Sequence, residues 1–537
     1  MKMKSTDANS GVDSSEENRT NETTSGDIRT YIREYFKCSS IQGLSYFAKN
    51  ISPLEVCWWI TVLLVCLSGC SLMIKEIVDK WIESPVLVSL ATNEGKISAI
   101  PFPAVTLCPE TKITRNCLNY SSVLRSKIKR NLENISEIEE NYFDYMAPLC
   151  RLENHVNSTR NESLEDYTDF LDKCKSVDLD EMQCQFLGVN KNCTEILSPI
   201  ITDDGLCYTF NMLDVRDIYS NINEMKYFRE GVRNPGWDIE KGYRHMSDNS
   251  YPIRVFQTGA QKSLVVTMFT KKSDMYASCQ DFILQGAKIS LHVPSTIPRP
   301  SQVSFPAGLD EMVTVSVTPS FTFTNRELKE YDPHKRYCFF ERERRLKYFK
   351  RYTQPNCIME CWTNYTIGEC GCVHFYMPRD KNANICGPAK MQCLKDAEDS
   401  FTVTHFVQSA KYDKINFEDT CDCLPSCVDL NYKTEISRGR WNWNDPTSTE
   451  ARYLKKFFKS HHASSIRIFF KASQFLLTER SELYGIATFL SNAGGILGLF
   501  LGFSLFSLIE IVYFLTLRLV ENRRRYGLWF GVIDSTN

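Results

Sequence analysis

The side chains of this chain best equipped for covalent chemistry are its 22 cysteines, and they are unevenly placed: four lie at or before Cys70 and eighteen between Cys108 and Cys427. Ten of them crowd into "YCFF", "NCIMEC", "ECGC", "NICG", "MQC", "TCDC" and "PSC", from Cys338 to Cys427. Cys357 and Cys361 stand four apart and would share a helix face; Cys421 and Cys423 stand two apart and would share a strand face. Two cysteines on one face opposite two on another can form stacked disulfides. Zinc ligation is the rival chemistry for "ECGC" and "CDC". Six glycosylation sequons, at Asn119, Asn134, Asn157, Asn161, Asn192 and Asn364, fall in the same block. They put it in an oxidising compartment, where disulfides form. His374 is the one imidazole close to either motif, so no metal site is expected.

Catalytic chemistry has no visible footing. The eight histidines form no HExxH pair, GxSxG is absent, and no glycine-rich phosphate loop precedes a predicted helix. His461 and His462 are adjacent and cannot share a helix face, which suits surface residues. No enzyme is expected. Charge is nearly balanced, 63 Lys plus Arg against 65 Asp plus Glu, and gives no reason to expect a nucleic-acid partner. A hydrophobic content of 43% allows several domains and excludes a disordered or collagen-like chain.

A second kind of chemistry is written in "SNAGGILGLFLGFSLFSLIE", Ser491 to Glu510, where four glycines and one carboxylate interrupt an apolar run. That run extends from Leu483 to Leu517, and Glu510 is its one charge. At about 1.5 Å per residue it would reach about 50 Å, too long for one straight span. Either it projects above the bilayer or it is interrupted, most readily at Gly502–Ser504. Glycines at 494, 498 and 502 recur every four residues, the pattern that lets membrane helices approach closely. Helix packing alone does not call for Glu510, because a carboxylate in lipid normally faces a bundle interior or water. A break exposes backbone carbonyls, tolerated at membrane depth only when buried in protein or lining water. Two helices cannot enclose a pore, so several copies would surround an axis, with carbonyl and Glu510 rings that favour cations.

These residues require elements to position them. "LEVCWWITVLLVCLSGCSLMI", Leu54 to Ile74, is long enough to cross the bilayer and follows fifty-odd polar residues, so it is not a cleavable signal. Arg518, Arg523, Arg524 and Arg525 directly after the second run mark a cytoplasmic end. Two spans then put both termini in the cytoplasm and residues 78–482 outside. In that block "SPVLVSL", "IPFPAVTLC", "GLCYTFNML", "SLVVTMF", "KISLHV" and "EMVTVSVTPSFTFT" read as strands of a central sheet. From Asn131 to Cys184 the chain turns acidic and helix-like, with 14 Asp or Glu against 4 Lys or Arg. This suits a solvated, glycosylated outer lobe or, alternatively, a cation or ligand site. The first 26 residues are polar and read as a disordered tail.

Together these residues resemble the degenerin and epithelial sodium channel superfamily, most closely the insect pickpocket channels. The resemblance runs from Ile32 to Tyr526 and is carried by "KWIESPVLVSL", "IPFPAVTLC", "GLCYTFN", "CIMECWTNYTIGECGCVHFYMPRDKNANICG", "CDCLPSC" and "GLFLGFSLFSLIEIVYFLTLR". It implies an α+β membrane protein with two transmembrane helices bracketing a large disulfide-rich ectodomain of palm sheet, finger and thumb. It also implies a homo- or heterotrimer of related subunits that acts as a sodium-selective, amiloride-sensitive cation channel of the plasma membrane, with permeating Na+ and no cofactor. The domains expected on this basis are a cytoplasmic N-terminus with a re-entrant loop (1–53), the first transmembrane helix (54–77), palm start (78–108), finger (109–206), palm and β-ball (207–330), thumb (331–430), palm end and wrist (431–482), the second transmembrane helix (483–517) and a cytoplasmic C-terminus (518–537).

Carried over by residue, the resemblance makes Gly502, Phe503 and Ser504 the selectivity filter. Ser491, Asn492, Gly494, Gly495, Gly498 and Glu510 become pore and gate positions, with Ser491 where a small side chain lets the gate close. It pairs Cys108 with Cys207, Cys184 with Cys193, Cys338 with Cys427, Cys357 with Cys423, Cys361 with Cys421, Cys370 with Cys393 and Cys372 with Cys386. Cys117, Cys150, Cys174 and Cys279 are left without assigned partners.

The chain departs from the family in "SSIQGLSYF", where Gln42-Gly43 replaces a His-Gly pair in the re-entrant loop. Glutamine still hydrogen-bonds but does not titrate. The exchange is either tolerated, or it alters the open probability or makes the chain an auxiliary subunit that conducts only with partners. "VDKWIESPVLVSL" also lacks the histidine that acid-sensing relatives carry, which argues against proton gating. The expectation is a sensory channel opened by force, by a chemical or peptide ligand, or by osmotic change. The alternative is a non-conducting surface receptor or auxiliary subunit.

Overall fold

The structure is a computed structural model. It describes residues 24–25, 28–49, 51–83, 86–129, 135–150, 167–220, 236–244, 250–275, 284–410, 421–445, 457, 459–483, 485–530 and 532–533. The chain divides into two units, one of residues 1–85 with 482–537 and one of residues 86–481.

The larger unit is built on two sheets. The longest strand, β10 (Glu311–Thr324), alternates Val313, Val315 and Val317, all buried, with Thr and Ser on the opposite face, the period of a half-buried strand. It pairs antiparallel along its length with β11 (Asp429–Arg440). On its other edge its first half runs parallel to β12 (His461–Phe470) and its second half parallel to β13 (Gln474–Glu482). β1 (Val86–Lys96) closes the sheet beside β13, and β7 (Leu264–Lys271), β3 (Gln183–Phe186) and β4 (Val189–Lys191) continue it beyond β12. The second sheet has the order β9 (Phe305–Gly308), β8 (Gly286–His292), β2 (Ala104–Pro109), β6 (Gly205–Phe210), β5 (Leu197–Thr202) and is antiparallel throughout. Phe102, Phe210 and Phe470 meet edge-on in the main core, which therefore draws on both sheets. In the second sheet Thr106 bonds the His292 ring at 2.9 Å, and burial pulls the His292 pKa down to about 4.

Two helical lobes are stapled to this framework. In the first, α3 (Tyr120–Ile128) and α4 (Glu137–Cys150) pack through stacked Tyr120 and Phe143 rings 5.1 Å apart, and Phe170 of α5 (Tyr167–Cys174) packs on Tyr145 of α4 with ring centroids 5.0 Å apart. Cys117 is bridged to Cys174, Cys150 is also disulfide-bonded, and Cys279 lies outside the described residues. In the second, α6 (Gln354–Cys370) starts on Thr353, whose hydroxyl accepts from the Asn356 N–H at 3.2 Å, and stops at Gly371, φ 72°. Trp362 of α6 packs on Phe401 of α7 (Met391–Ala410), with ring centroids 5.0 Å apart.

The structure pairs Cys108–Cys207, Cys184–Cys193, Cys338–Cys427, Cys357–Cys423, Cys361–Cys421, Cys370–Cys393 and Cys372–Cys386. The Cys357 and Cys361 bridges leave one face of α6 as consecutive rungs. Their partners are not on a strand: the chain is irregular at Cys421–Cys423, and Asp422 between them has φ 43°. A left-handed residue at that point, rather than a pleat, lets both cysteines of that segment reach one helix face.

In the smaller unit, α1 (Ile28–Cys38) precedes α2 (Pro53–Glu83). A capping box opens α2: Glu55 N–H donates to Ser52 Oγ (3.4 Å) and Ser52 N–H to Glu55 Oε2 (3.0 Å), with Pro53 in the first turn. Among the described residues α2 is the one helix long and apolar enough by itself to cross a membrane. α8 (Ile486–Leu501) passes the same test only together with the helical chain that follows, α9 (Leu505–Leu515) and α10 (Leu517–Tyr526), from which it is bent by 76°. α8 lies antiparallel on α2: Phe489 stacks on Trp81 with centroids 5.0 Å apart, and Phe500 covers Gly69, where a Cβ would come within 3.0 Å of the ring.

Candidate functional site

The break between α8 and α9 falls on Gly502–Ser504, and both helix ends are completed by local hydrogen bonds. Gly502 has φ 65°, the left-handed conformation that glycine adopts at least cost, and its N–H returns to the Gly498 carbonyl at 2.9 Å. The Phe503 N–H donates to Leu497 at 3.3 Å. On the other side Ser504 and Ser507 form a reciprocal cap: Ser507 N–H to Ser504 Oγ at 3.3 Å, and Ser504 N–H to Ser507 Oγ at 3.1 Å. Donors that would otherwise be left unpaired at these helix ends are thereby satisfied.

The N-terminal segment of the same unit packs against this break. The Gln42 N–H donates to the Leu501 carbonyl, the last of α8, at 3.0 Å. The Gln42 side chain occupies the space a Cβ at Gly502 would take, with its Cγ only 2.6 Å from that point. Position 502 therefore requires glycine twice, for its backbone conformation and for the close approach of Gln42. Gly43 follows with φ 94° and starts the helical turn Leu44–Phe47. Two residues earlier, Ser40 donates through both its N–H and its hydroxyl to Glu510 Oε2, each at 2.9 Å, and the same hydroxyl lies 2.7 Å from Ser507 Oγ. Glu510 is thus half-buried and held by the N-terminal segment as well as belonging to α9. Tyr31 donates to the Phe514 carbonyl at 2.6 Å and Glu34 pairs with Arg518 at 2.8 Å, fixing α1 beside α9 and α10.

The remaining expected positions sort by face. Phe489, Ala493, Ile496, Leu497 and Phe500 are half-buried on the side of α8 that carries the α2 contacts. Ser491, Asn492, Gly494, Gly495 and Gly498 are exposed, and Ser491, Gly494, Gly495 and Gly498 lie on the opposite side at helical spacing. A Cβ added at Gly494 or Gly495 would meet nothing of this chain.

Of the sequons, Asn192 and Asn364 are exposed, and Asn192 caps its own short helix by accepting from the Thr194 N–H. Asn119 is half-buried, and Asn134, Asn157 and Asn161 lie outside the described residues. Among the described residues no group of three or more His, Cys, Asp or Glu is placed to hold a metal. The structure adds Ser40, Ser507, Tyr31, Glu34 and Arg518, residues that the sequence reading did not single out as part of the site. No local signal marks them, because their partners lie some 470 residues away along the chain.

The sequence profile described as amiloride-sensitive sodium channel matches residues 35–514. Pickpocket protein 28 of Drosophila melanogaster is 27% identical over 507 residues, covering 91% of this chain and 79% of that protein. Sodium channel protein Nach of the same organism is 20% identical over 511 residues, 93% of this chain and 89% of that protein. Acid-sensing ion channel 1A of Danio rerio is 23% identical over 510 residues, 89% of this chain and 86% of its own.

Proposed function

The chain belongs to the amiloride-sensitive sodium channel family, whose members are ion channels and not enzymes, and from this we propose that it is a pore-forming subunit of a sodium-selective, amiloride-sensitive sensory channel. The observation that carries the reading is the interruption at Gly502–Ser504, capped on both sides and backed by Gln42. A helix broken in this way presents backbone carbonyls and the Ser504 hydroxyl at membrane depth, groups that can replace the water around a cation. The exposed stripe of Ser491, Gly494, Gly495 and Gly498 suits close approach to related subunits around an axis, as in a homo- or heterotrimer. Glu510, on the cytoplasmic side of the break, adds negative charge that discourages anions. Na+ is the cargo, and no cofactor takes part. The arginine-rich chain after Leu517 supports a topology with both termini in the cytoplasm and the disulfide-rich unit outside the plasma membrane. The stimulus is mechanical, chemical or osmotic, with an extracellular ligand as one form of it.

Expression in oocytes tests the reading. A Ser491→Val channel carrying an amiloride-blocked sodium current is the expected result. Silence alone but current with a co-expressed relative identifies an auxiliary subunit, and surface delivery without current in any combination leaves a receptor and sinks the channel. The filter has its own test: Ser504→Cys should change the sodium-to-potassium permeability ratio, and an unchanged ratio puts the filter elsewhere.

A further inference from the structure

Beside α3 lies an open cavity of about 570 Å³ that the proposed permeation path does not use. It is lined by Arg115, Arg125 and Lys129, by Ser121, Ser122 and Ser126, and by Asn119, Tyr120 and Met275 among others. Its volume falls in the range of small-molecule sites, about 300–1,000 Å³. The three cations are exposed and form no ion pair among the described residues, whereas the neighbouring Lys127 pairs with Glu140 at 3.0 Å. Arg125 in the last turn of α3 and Lys129, its C-cap, stand four apart, an arrangement of like charges that costs stability until an anion neutralises it.

The scaffold under these side chains is firm. The turn that carries Arg115 is fixed by the Cys117–Cys174 bridge, by the Thr114 N–H on the Cys174 carbonyl at 2.9 Å, and by the Arg115 N–H on Asp274 at 3.3 Å. The buried Tyr120 ring, stacked on Phe143, seats the first turn of α3. Two arginines, a lysine and three serines line the cavity, and none of its lining residues is a carboxylate. Guanidinium forks match phosphate oxygens bidentately, ammonium acts as a point charge, and hydroxyls donate to the remaining oxygens.

We propose that this cavity is an extracellular binding site for a small oligophosphate, held by Arg115, Arg125 and Lys129. The site belongs to the larger unit, and its test reads binding rather than current, so it stands or falls independently of the channel reading.

The probe is sodium tripolyphosphate, titrated calorimetrically into the full-length protein in detergent at low ionic strength without divalent cations. Saturable binding is expected, weakened at least about tenfold by Arg115→Gln/Arg125→Gln, as fits the loss of charge-assisted bonds. Lys129→Gln should weaken it in the same direction, and Lys127→Gln should leave it unchanged. Arg115, Arg125 and Lys129 are exposed, whereas the Lys127 side chain is only 9% exposed in its pair with Glu140, so an unaltered gel-filtration profile is required of each variant, Lys127→Gln above all. Equal affinity in the Arg115/Arg125 variant overturns the proposal, as does equal loss in Lys127→Gln, which would signal diffuse surface charge. Citrate binding as tightly as tripolyphosphate overturns the phosphate assignment in favour of a polycarboxylate. Asn119 heads a sequon within the cavity, so binding seen only in Asn119→Gln would mean that a glycan fills the site in the native protein, and would also overturn the proposal.

Discussion

Replacing Gly502 by alanine probes the contact between the N-terminal segment and the helix break. The backbone at 502 has φ 65°, where a non-glycine residue costs about 1–2 kcal/mol. Reduced freedom of the unfolded chain returns about 0.4–1 kcal/mol of that. The new Cβ would also stand 2.6 Å from Gln42 Cγ and 3.0 Å from its Cδ. Rotating Gln42 away from its staggered well costs about 0.5–1.5 kcal/mol more. The sum for Gly502→Ala is a loss of about 0.5–3 kcal/mol. Gln42→Ala removes Cγ and Cδ and leaves only the 3.3 Å contact with Cβ, so about 1 kcal/mol of the loss should be relieved in the double variant. The assay is thermal unfolding of the full-length protein in micelles, followed by fluorescence-detected gel filtration on all four members of the cycle, where 1 kcal/mol corresponds to about 1 °C for a chain of this length melting as one unit. If Gly502→Ala lowers the midpoint equally in the native and the Gln42→Ala backgrounds, Gln42 does not touch the break in the folded protein and the reasoning fails.

Further outcomes follow from other contacts. Ser40→Ala deletes the hydroxyl that donates to Glu510 and meets Ser507; single-channel records of a conducting channel should show the open fraction shifted about tenfold, or about 1.4 kcal/mol, and unchanged gating would mean that the contact is the same in both states. Cys361→Ser and Cys421→Ser share one bridge, so each should cost about 2–5 kcal/mol and reduce surface biotinylation, with the double variant no worse than either single one. Burial holds His292 at a pKa of about 4, below the ordinary value near 6.5. It therefore contributes stability that is fully present above about 6.5 and lost as pH falls toward 4. His292→Gln should flatten the melting-point profile across that window, and an unchanged profile would assign the acid sensitivity to other groups.

What the sequence made legible was governed by short periods. The alternation of Val313, Val315 and Val317 marks β10 because a strand has period 2, and the glycine at 502 marks the weak point of an overlong helix because left-handed backbone disfavours other residues. Stacked bridges could be foreseen from the spacing of Cys357 and Cys361, yet not the irregular chain that presents Cys421 and Cys423. Among Cys117, Cys150, Cys174 and Cys279 spacing left the pairing open, and only the pairing of the segments at Ile113–Thr114 and Cys174–Lys175 brings Cys117 to Cys174. The grip of Ser40 on Glu510 was invisible for the same reason: it depends on where two distant segments meet. The convergence of Arg115, Arg125 and Lys129 on one cavity was equally hidden, since a basic run is informative only once its neighbours are known.

One consequence lies in the strand order. β1 follows α2 in the chain and β13 leads into α8, and these two strands are hydrogen-bonded neighbours in the same sheet. β13 is in turn laced to β10 through the rungs Phe321–Leu477 to Thr324–Arg480. Ladder bonds run across the strands. A tug along either chain therefore loads its rungs in shear, all at once, instead of peeling them open one after another. The strand that leaves α2 and the strand that leads into α8 are joined like lapped straps: tension applied to one is shared by the other, and the ladder yields only when several rungs fail together.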